Sequence, residues 1–310
     1  MKKPTPKIYR TTNWSSYNQA LIKRGNISIW FDPKTQWYAQ PQGKQGRNQT
    51  YSDTAIQCCL MIKSLFRLSL RMVTGFVQSL IKLCGLNWTA PDYSTLCRRQ
   101  KHIDIAISYQ KSHDGLHLLV DSTGLKFLGE GEWKRKKHQP EYRRQWRKLH
   151  IGIDAETLQI RAVQLTTNNV SDSQVLGDLL DQIPLDERID SVYTDGAYDT
   201  KCCRQVISDR QAHAVIPPRK NAKPWKDSKI SSIERNELLQ TVKHLGRTLW
   251  KKWSGYHRRS LVETKMHCIK LLGDKLMARS FPSQVNEIHA RVAVLNRFTE
   301  LGRPLTQVTP

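Results

Sequence analysis

His117-Leu118-Leu119-Val120-Asp121-Ser122-Thr123 is the stretch on which the reading of this chain turns. An apolar run this short, stopped by polar residues, is a buried strand. Asp121 then stands at its end. From residue 113 onward the hydrophobic period changes from helical to strand-like. Leu149 to Ile153 and Ile160 to Leu165 read as two further strands, joined by the turn Asp154-Ala155-Glu156-Thr157. Ser171-Asp172-Ser173-Gln174 has the form of a capping box and opens a helix over about 172–183. Ile189 to Thr194 is the next strand, stopped at Asp195-Gly196. Lys201 to Ser208 reads as a helix, and Ala212 to Ile216 as a strand closed by Pro217-Pro218. A polar, basic connector runs to about 254. A long helix over roughly 256–276 and an apolar helix over about 284–299 complete the chain.

Three strands in a row, then helix, strand, helix, strand, helix, is the order of a ribonuclease-H-like α/β domain with a mixed sheet and flanking helices. It is expected over 113–300, with a small basic insertion at 217–254 and a tail at 301–310. Residues 1–52 read as a basic, mostly irregular arm, in which Ile27 to Phe31 is a short apolar patch with strand character. Residues 53–112 read as a helical domain. Ser52-Asp53 caps a helix over 54–66, and Leu70, Val73, Val77, Leu80 and Ile81 mark a second over 69–84. Gly85 stops it. A short helix follows Pro91-Asp92 and carries Arg98 and Arg99. Helix, turn and basic helix is what a helix-turn-helix needs, so Arg98 and Arg99 are candidate DNA contacts.

Composition narrows the function. Among 310 residues, 50 Lys and Arg against 27 Asp and Glu leave a net charge of +23. Residues 1–112 hold 17 basic and 4 acidic side chains, so the first third is the more basic per residue. Such a charge points to a polyanionic partner. The uncharged run Met72 to Ile81 lies between Arg71 and Lys82. It is far short of the ~18 residues a membrane span needs. The N-terminus has no apolar segment of signal-peptide form. The seven cysteines include no Cys-x-x-Cys pair, and two pairs are adjacent. They read as buried reduced thiols, neither a disulfide framework nor a zinc site.

Three acids stand apart. Asp121 and Asp195 end the first and fourth strands, which lie side by side in this fold, and Glu263 sits in the late helix. Carboxylates gathered at one point repel unless a cation joins them. Oxygen donors with open coordination positions suit magnesium, with manganese as a substitute. Two such ions about 3.5–4 Å apart clamp a phosphodiester between attacking and leaving oxygens. Asp199 reads as a helix N-cap, Asp154 as a turn residue and Asp172 as a cap. On a helical wheel Tyr256, Arg259, Glu263 and Lys270 fall within a sector of about 60°. A glutamate flanked by a phenol and two cations suits metal binding beside phosphate.

At these residues the chain resembles the DDE transposases of bacterial insertion sequences, family five in the usual numbering, and is similar also to family four. The shared signature Tyr-x2-Arg-x3-Glu-x6-Lys stands intact as Tyr256, Arg259, Glu263 and Lys270. Val-Asp121-Ser-Thr-Gly, Tyr-Thr-Asp195-Gly-Ala-Tyr-Asp, Trp-Arg-Lys-Leu-His at 146–150 and Ile-Pro-Pro-Arg-Lys-Asn at 216–221 also look like the family's. The likeness is strong over about 113–300 and looser over 12–100. It implies that Asp121, Asp195 and Glu263 are the catalytic and metal-binding triad. Arg259 and Lys270 would hold phosphates of the transposon end, with Tyr256 assisting. It implies an enzyme that binds terminal inverted repeats in double-stranded DNA, frees a 3′-hydroxyl and joins it to target DNA. A homo-oligomer, at least a dimer on DNA, and a bacterial cytoplasmic, nucleoid-associated setting go with it. Successive acids are 74 and 68 residues apart, and the second gap leaves no room for a large inserted β domain of the kind some relatives carry.

Two basic clusters are candidate DNA-binding surfaces. Lys134, Arg135, Lys136, Lys137, Arg143, Arg144, Arg147 and Lys148 form an expected loop beside the first strand, and Arg219 and Lys220 form a second cluster. Trp225, Trp250 and Trp253 are candidate platforms for an unpaired base. Two rival readings share much of this sequence. One is a catalytically silent repressor derived from a transposase. The other is a structure-selective nuclease of the same fold.

Overall fold

The computed structural model describes residues 9–41, 43, 48–112, 114–128, 137 and 145–308. Its elements run β1 (Tyr9–Thr11), α1 (Trp14–Arg24), α2 (Asp53–Phe66), α3 (Leu70–Leu83) and α4 (Tyr93–Arg99). Then come β2 (Leu116–Phe127), β3 (Arg147–Asp154), β4 (Ile160–Thr167), α5 (Asp172–Asp181), β5 (Ile189–Tyr193), α6 (Lys201–Asp209) and β6 (His213–Val215). The last are α7 (Ile230–Leu245), α8 (Arg247–Trp253), α9 (Ser260–Leu272), β7 (Lys275–Leu276), α10 (Phe281–Leu301) and β8 (Thr306–Val308). Two compact units result, one of residues 1–108 with 293–310, the other of 109–292.

In the first unit α2, α3 and α4 pack together, each opened by a side-chain cap from Ser52, Ser69 and Asp92. Trp37 and Trp88 stack at 4.8 Å, with Phe31 edge-on to both. Trp14–Arg24 is helix where irregular chain is expected, because only Ala20 of it is buried and it carries little apolar period. Ile27–Ile29 is a 3₁₀ turn rather than a strand, with Asn26 accepting from the Ser28 N–H. In α4, Arg98 is exposed. Arg99 does not project outward as a DNA contact would: it donates to the Tyr51 carbonyl and pairs with Asp53. All seven cysteines are unpaired, but Cys84, Cys97 and Cys202 are exposed rather than buried.

The second unit is built on a sheet of order β4-β3-β2-β5-β6, with β7 added against the end of β2. β2, β3 and β4 are antiparallel neighbours, and β5 and β6 run parallel to β2. That mixed sheet with flanking helices is consistent with the expected ribonuclease-H-like fold. The strands form where the apolar runs lie. Leu116, Leu118 and Val120 are buried with Val175, Leu176 and Leu179 of α5 and Cys203 and Ile207 of α6. Each such side chain contributes about 1.5–3 kcal/mol. The capping box at Ser171 and Gln174 fixes the start of α5.

Three boundaries differ from expectation, each for a local reason. β2 does not stop at Asp121, because its ladder with β3 continues through Leu125 opposite Arg147. Arg147 and Lys148 therefore lie in β3 and not in a loop. The 217–254 segment is no plain connector, since α7 and α8 occupy most of it. The long late helix is instead a 3₁₀ turn at Tyr256–Arg259, helix α9 to Leu272, and the short strand β7. Gly255, at φ +66°, turns the chain between α8 and that 3₁₀ turn.

Beside β2, His150 of β3 is fully buried opposite Ser122, with its Nε2 3.0 Å from the Thr166 hydroxyl and Nδ1 3.6 Å from Asp172. Burial pulls its pKa down to about 4; Asp172 opposes this shift and Lys148 adds to it. A histidine depressed from 6.5 in the folded state contributes stability above pH 6.5. That contribution is expected to fade as pH falls from 6.5 towards 4. Urea melts across that range should show the decline, and His150→Gln should flatten it.

Candidate active site

The register of β2 and β5 sets the centre of the site. Leu119 pairs with Tyr193, and the pairing ends there. Continued by two residues, the same register brings Asp121 beside Asp195, where the two strands part. Asp121 is half-buried, and its carboxylate accepts from the Ser122 N–H at 2.8 Å. Asp195 caps a 3₁₀ turn at Gly196–Tyr198, accepting from the Ala197 N–H at 2.9 Å. Burial raises the pKa of Asp121, and the Asp195 carboxylate adds to the rise; Arg259 and the Ser122 N–H oppose it.

The late signature approaches the same place. Arg259 donates to Asp121 through one nitrogen and to Glu263, at 2.8 Å, through another. It also bonds the Tyr256 hydroxyl. Burial works against the charge of Arg259, yet Asp121, Tyr256 and Glu263 outweigh that and hold its pKa up. Tyr256 rests against Trp250 at 5.8 Å between rings. Lys270, one face further along α9, donates to the Thr123 hydroxyl of β2 at 2.9 Å. Val262, Met266 and Ile269 are the buried side of that helix. Tyr256 and Arg259 lie in the 3₁₀ turn, so the uniform helical wheel does not apply to them.

Among the described residues no three metal-ligating side chains are drawn together closely enough to hold a cation. Asp121 and Asp195 adjoin, while Glu263, with its side chain 58% exposed, reaches Asp121 only through Arg259. The donor chemistry still fits a hard divalent ion. Tyr198 supplies a second observation in its favour. It is fully buried, its hydroxyl has no hydrogen-bond partner, and Asp172, Asp121 and Asp195 all act on it. An orphaned hydroxyl among carboxylates is a natural partner for a hydrated cation. Sequence reading passed over Tyr198, although its place in Asp-Gly-Ala-Tyr-Asp was in view.

Several other expectations are revised. Asp199 is no N-cap, since Thr200 caps α6. Asp199 is instead buried between Arg204 and Arg235, at 2.9 and 3.0 Å. Asp172 does more than begin a helix. Burial raises its pKa, but hydrogen bonds from the Ser122 hydroxyl and Lys148 carry it below the ordinary value. Arg147 donates to Gln284 and stacks over Phe127, and Lys148 bonds the Val170 carbonyl and Asp172. Arg219 and Lys220 are both exposed, and Arg219 turns its guanidinium onto backbone carbonyls. Trp250 is buried, so it cannot stack a base as it stands. Trp225 is covered by Arg235 at 4.3 Å, and Trp253 is 79% exposed. Lys137 is exposed; Lys134, Arg135, Lys136, Arg143 and Arg144 lie outside the described residues.

With this geometry in hand, the chain belongs to the transposase DDE domain family: one family model of that description matches residues 112–297, and a second matches residues 22–130. The family supports metal-dependent cutting and transfer of DNA in general. Among solved structures, the simian T-cell lymphotropic virus intasome in complex with PP2A regulatory subunit B56 gamma contains a chain 15% identical to this one. The match covers 70% of this chain and 74% of that one, at a TM-score of 0.24, too slight a likeness to bear on the argument. No helix among the described residues is long and apolar enough to cross a membrane.

Proposed function

We propose that this chain is the transposase of a bacterial insertion sequence of the family-five kind, acting on its terminal inverted repeats. The adjacency of Asp121 and Asp195 at the parting of β2 and β5, faced by Arg259 and Glu263, carries this reading. Asp121, Asp195 and Glu263 would hold a divalent cation, magnesium or manganese, which when bound would supply Lewis-acid activation of the attacking hydroxyl and of the phosphodiester. Arg259 meanwhile neutralises two of these acids, and a DNA phosphate competes for the same guanidinium. Lys270 and Tyr256 flank that contact. The helical elements before residue 112, with exposed Arg98, would meet the DNA end, and Lys137 and Lys220 would add phosphate contacts. Trp253 remains exposed and can stack on a base. Joining two ends in concert calls for at least two copies on DNA.

The distinguishing reaction is strand transfer. Pre-cut repeat ends with free 3′-hydroxyls, a supercoiled target and magnesium should give joined products. A nuclease would degrade both DNAs without joining, and a silent repressor would bind the repeat and leave it whole. Arg259→Ala should weaken binding to the repeat end more than to random duplex in a gel-shift titration. Equal losses on both DNAs would remove any end-specific role for Arg259.

A further inference from the structure

We infer that Arg219 is a positioning residue for Asp195, and that the 217–245 segment braces the turn that carries this acid; the inference rests on the metal-dependent reading above. At the turn Gly196–Tyr198 the Gly196 carbonyl accepts from the Asp199 N–H at 3.3 Å and the Tyr198 carbonyl from the Thr200 N–H at 2.7 Å, while the Ala197 carbonyl between them takes a side-chain donor. Arg219 supplies that donor and a second one to its neighbour, donating from a terminal nitrogen to the Ala197 carbonyl at 3.0 Å and from Nε to the Gly196 carbonyl at 3.1 Å. The Ala197 N–H is the donor that the Asp195 carboxylate accepts. Arg219 and Asp195 therefore grip one peptide segment from opposite ends. A charged donor makes a stronger bond to a carbonyl than a neutral one, although exposure of Arg219 to solvent reduces its worth here.

The clamp is anchored behind. The Arg219 N–H faces the Asp199 carboxylate at 3.4 Å. Asp199 is held by Arg204, which also donates to the Ile216 carbonyl, and by Arg235 of α7. Arg235 in turn reaches the Lys223 carbonyl at 2.7 Å and covers Trp225. Trp225 and Asn236 exchange two hydrogen bonds at 2.8 Å. A Cβ on Gly196 would come within 3.3 Å of the Pro217 carbonyl, so the two segments lie in close contact. The Arg219 and Arg235 contacts to residues 196–199 join the insertion to the Asp195 turn, the other links hold each side in place, and none needs DNA. The basic cluster at 219–220 thus contains one exposed residue whose guanidinium is engaged by the fold itself.

The test measures manganese binding to the full chain, freed of DNA, by electron paramagnetic resonance, and the salt dependence of DNA binding on the same samples. Asp195→Asn is the control and should lose manganese affinity. Arg219→Ala should weaken manganese binding about tenfold, as loss of a residue that orients a ligand does, with an unchanged salt slope. Arg219→Lys should recover part of the affinity. Unchanged manganese affinity in Arg219→Ala, with the salt slope reduced by about one, would overturn the inference and make Arg219 a phosphate contact. If Arg219→Ala does not fold, Arg219→Lys decides: weaker manganese binding than wild type supports the clamp, and equal binding overturns it. Manganese binding unaffected by Asp195→Asn would instead overturn the metal-site reading itself, and the inference with it.

Discussion

Asp121→Asn should abolish DNA strand cleavage while leaving DNA binding intact. Asparagine keeps the shape of the side chain and an acceptor for the Ser122 N–H and Arg259. What it removes is the negative charge that a cation needs. Loss of a residue that only supports a metal ligand costs about 10–100-fold in activity, so loss of the ligand itself should cost more. Asp195→Asn and Glu263→Gln should behave alike. The readout is the cleavage rate of labelled repeat DNA at matched occupancy. Retained cleavage in any one variant would remove that acid from the triad. The expectation is most informative for Glu263, which contacts Arg259 rather than the other acids.

Asp199→Ala should be the most destabilising single change in the second unit. It leaves Arg204 and Arg235, each 3% exposed, facing one another without their counter-charge. Removing one partner from a buried ion pair costs about 3–5 kcal/mol. Against a total stability of about 5–15 kcal/mol, that is a large share. Urea unfolding measures it directly; a loss below about 1 kcal/mol would place the pair in the class of surface bridges. The pH dependence carries the same sign. Burial works to raise the pKa of Asp199, but the hydrogen bonds from Arg235 and Arg204 and their charges leave it lowered. Its contribution is present above the unfolded carboxylate value of 3.8 and is lost as pH falls below it.

Much of the second unit was legible because its strands are short apolar runs between turn residues, and their order alone implies which strand ends adjoin. The pairing of Asp121 with Asp195 follows from that order. The elements that escaped have weak or misleading periods. In α7 the buried residues are Ser231, Ser232 and Arg235, so it offers no apolar stripe to read. Its burial is paid in ion pairs and hydrogen bonds to partners distant in sequence. β2 runs past Asp121 because backbone pairing with β3 continues under polar side chains that look like a strand end. Arg219 read as part of a basic patch, since nothing local reveals that its partners are carbonyls more than twenty residues upstream. Tyr198 has no sequence pattern that sets it apart. Its unpartnered hydroxyl among three acids becomes apparent only in three dimensions.

Incubating the full chain with DNA that carries its own element's terminal repeat, with magnesium, manganese or EDTA, tests the central claim most directly. Nicking confined to the repeat boundary, present with either metal, absent in EDTA and lost in Asp195→Asn, is the predicted result. Cleavage that persists in EDTA or in Asp195→Asn would contradict it.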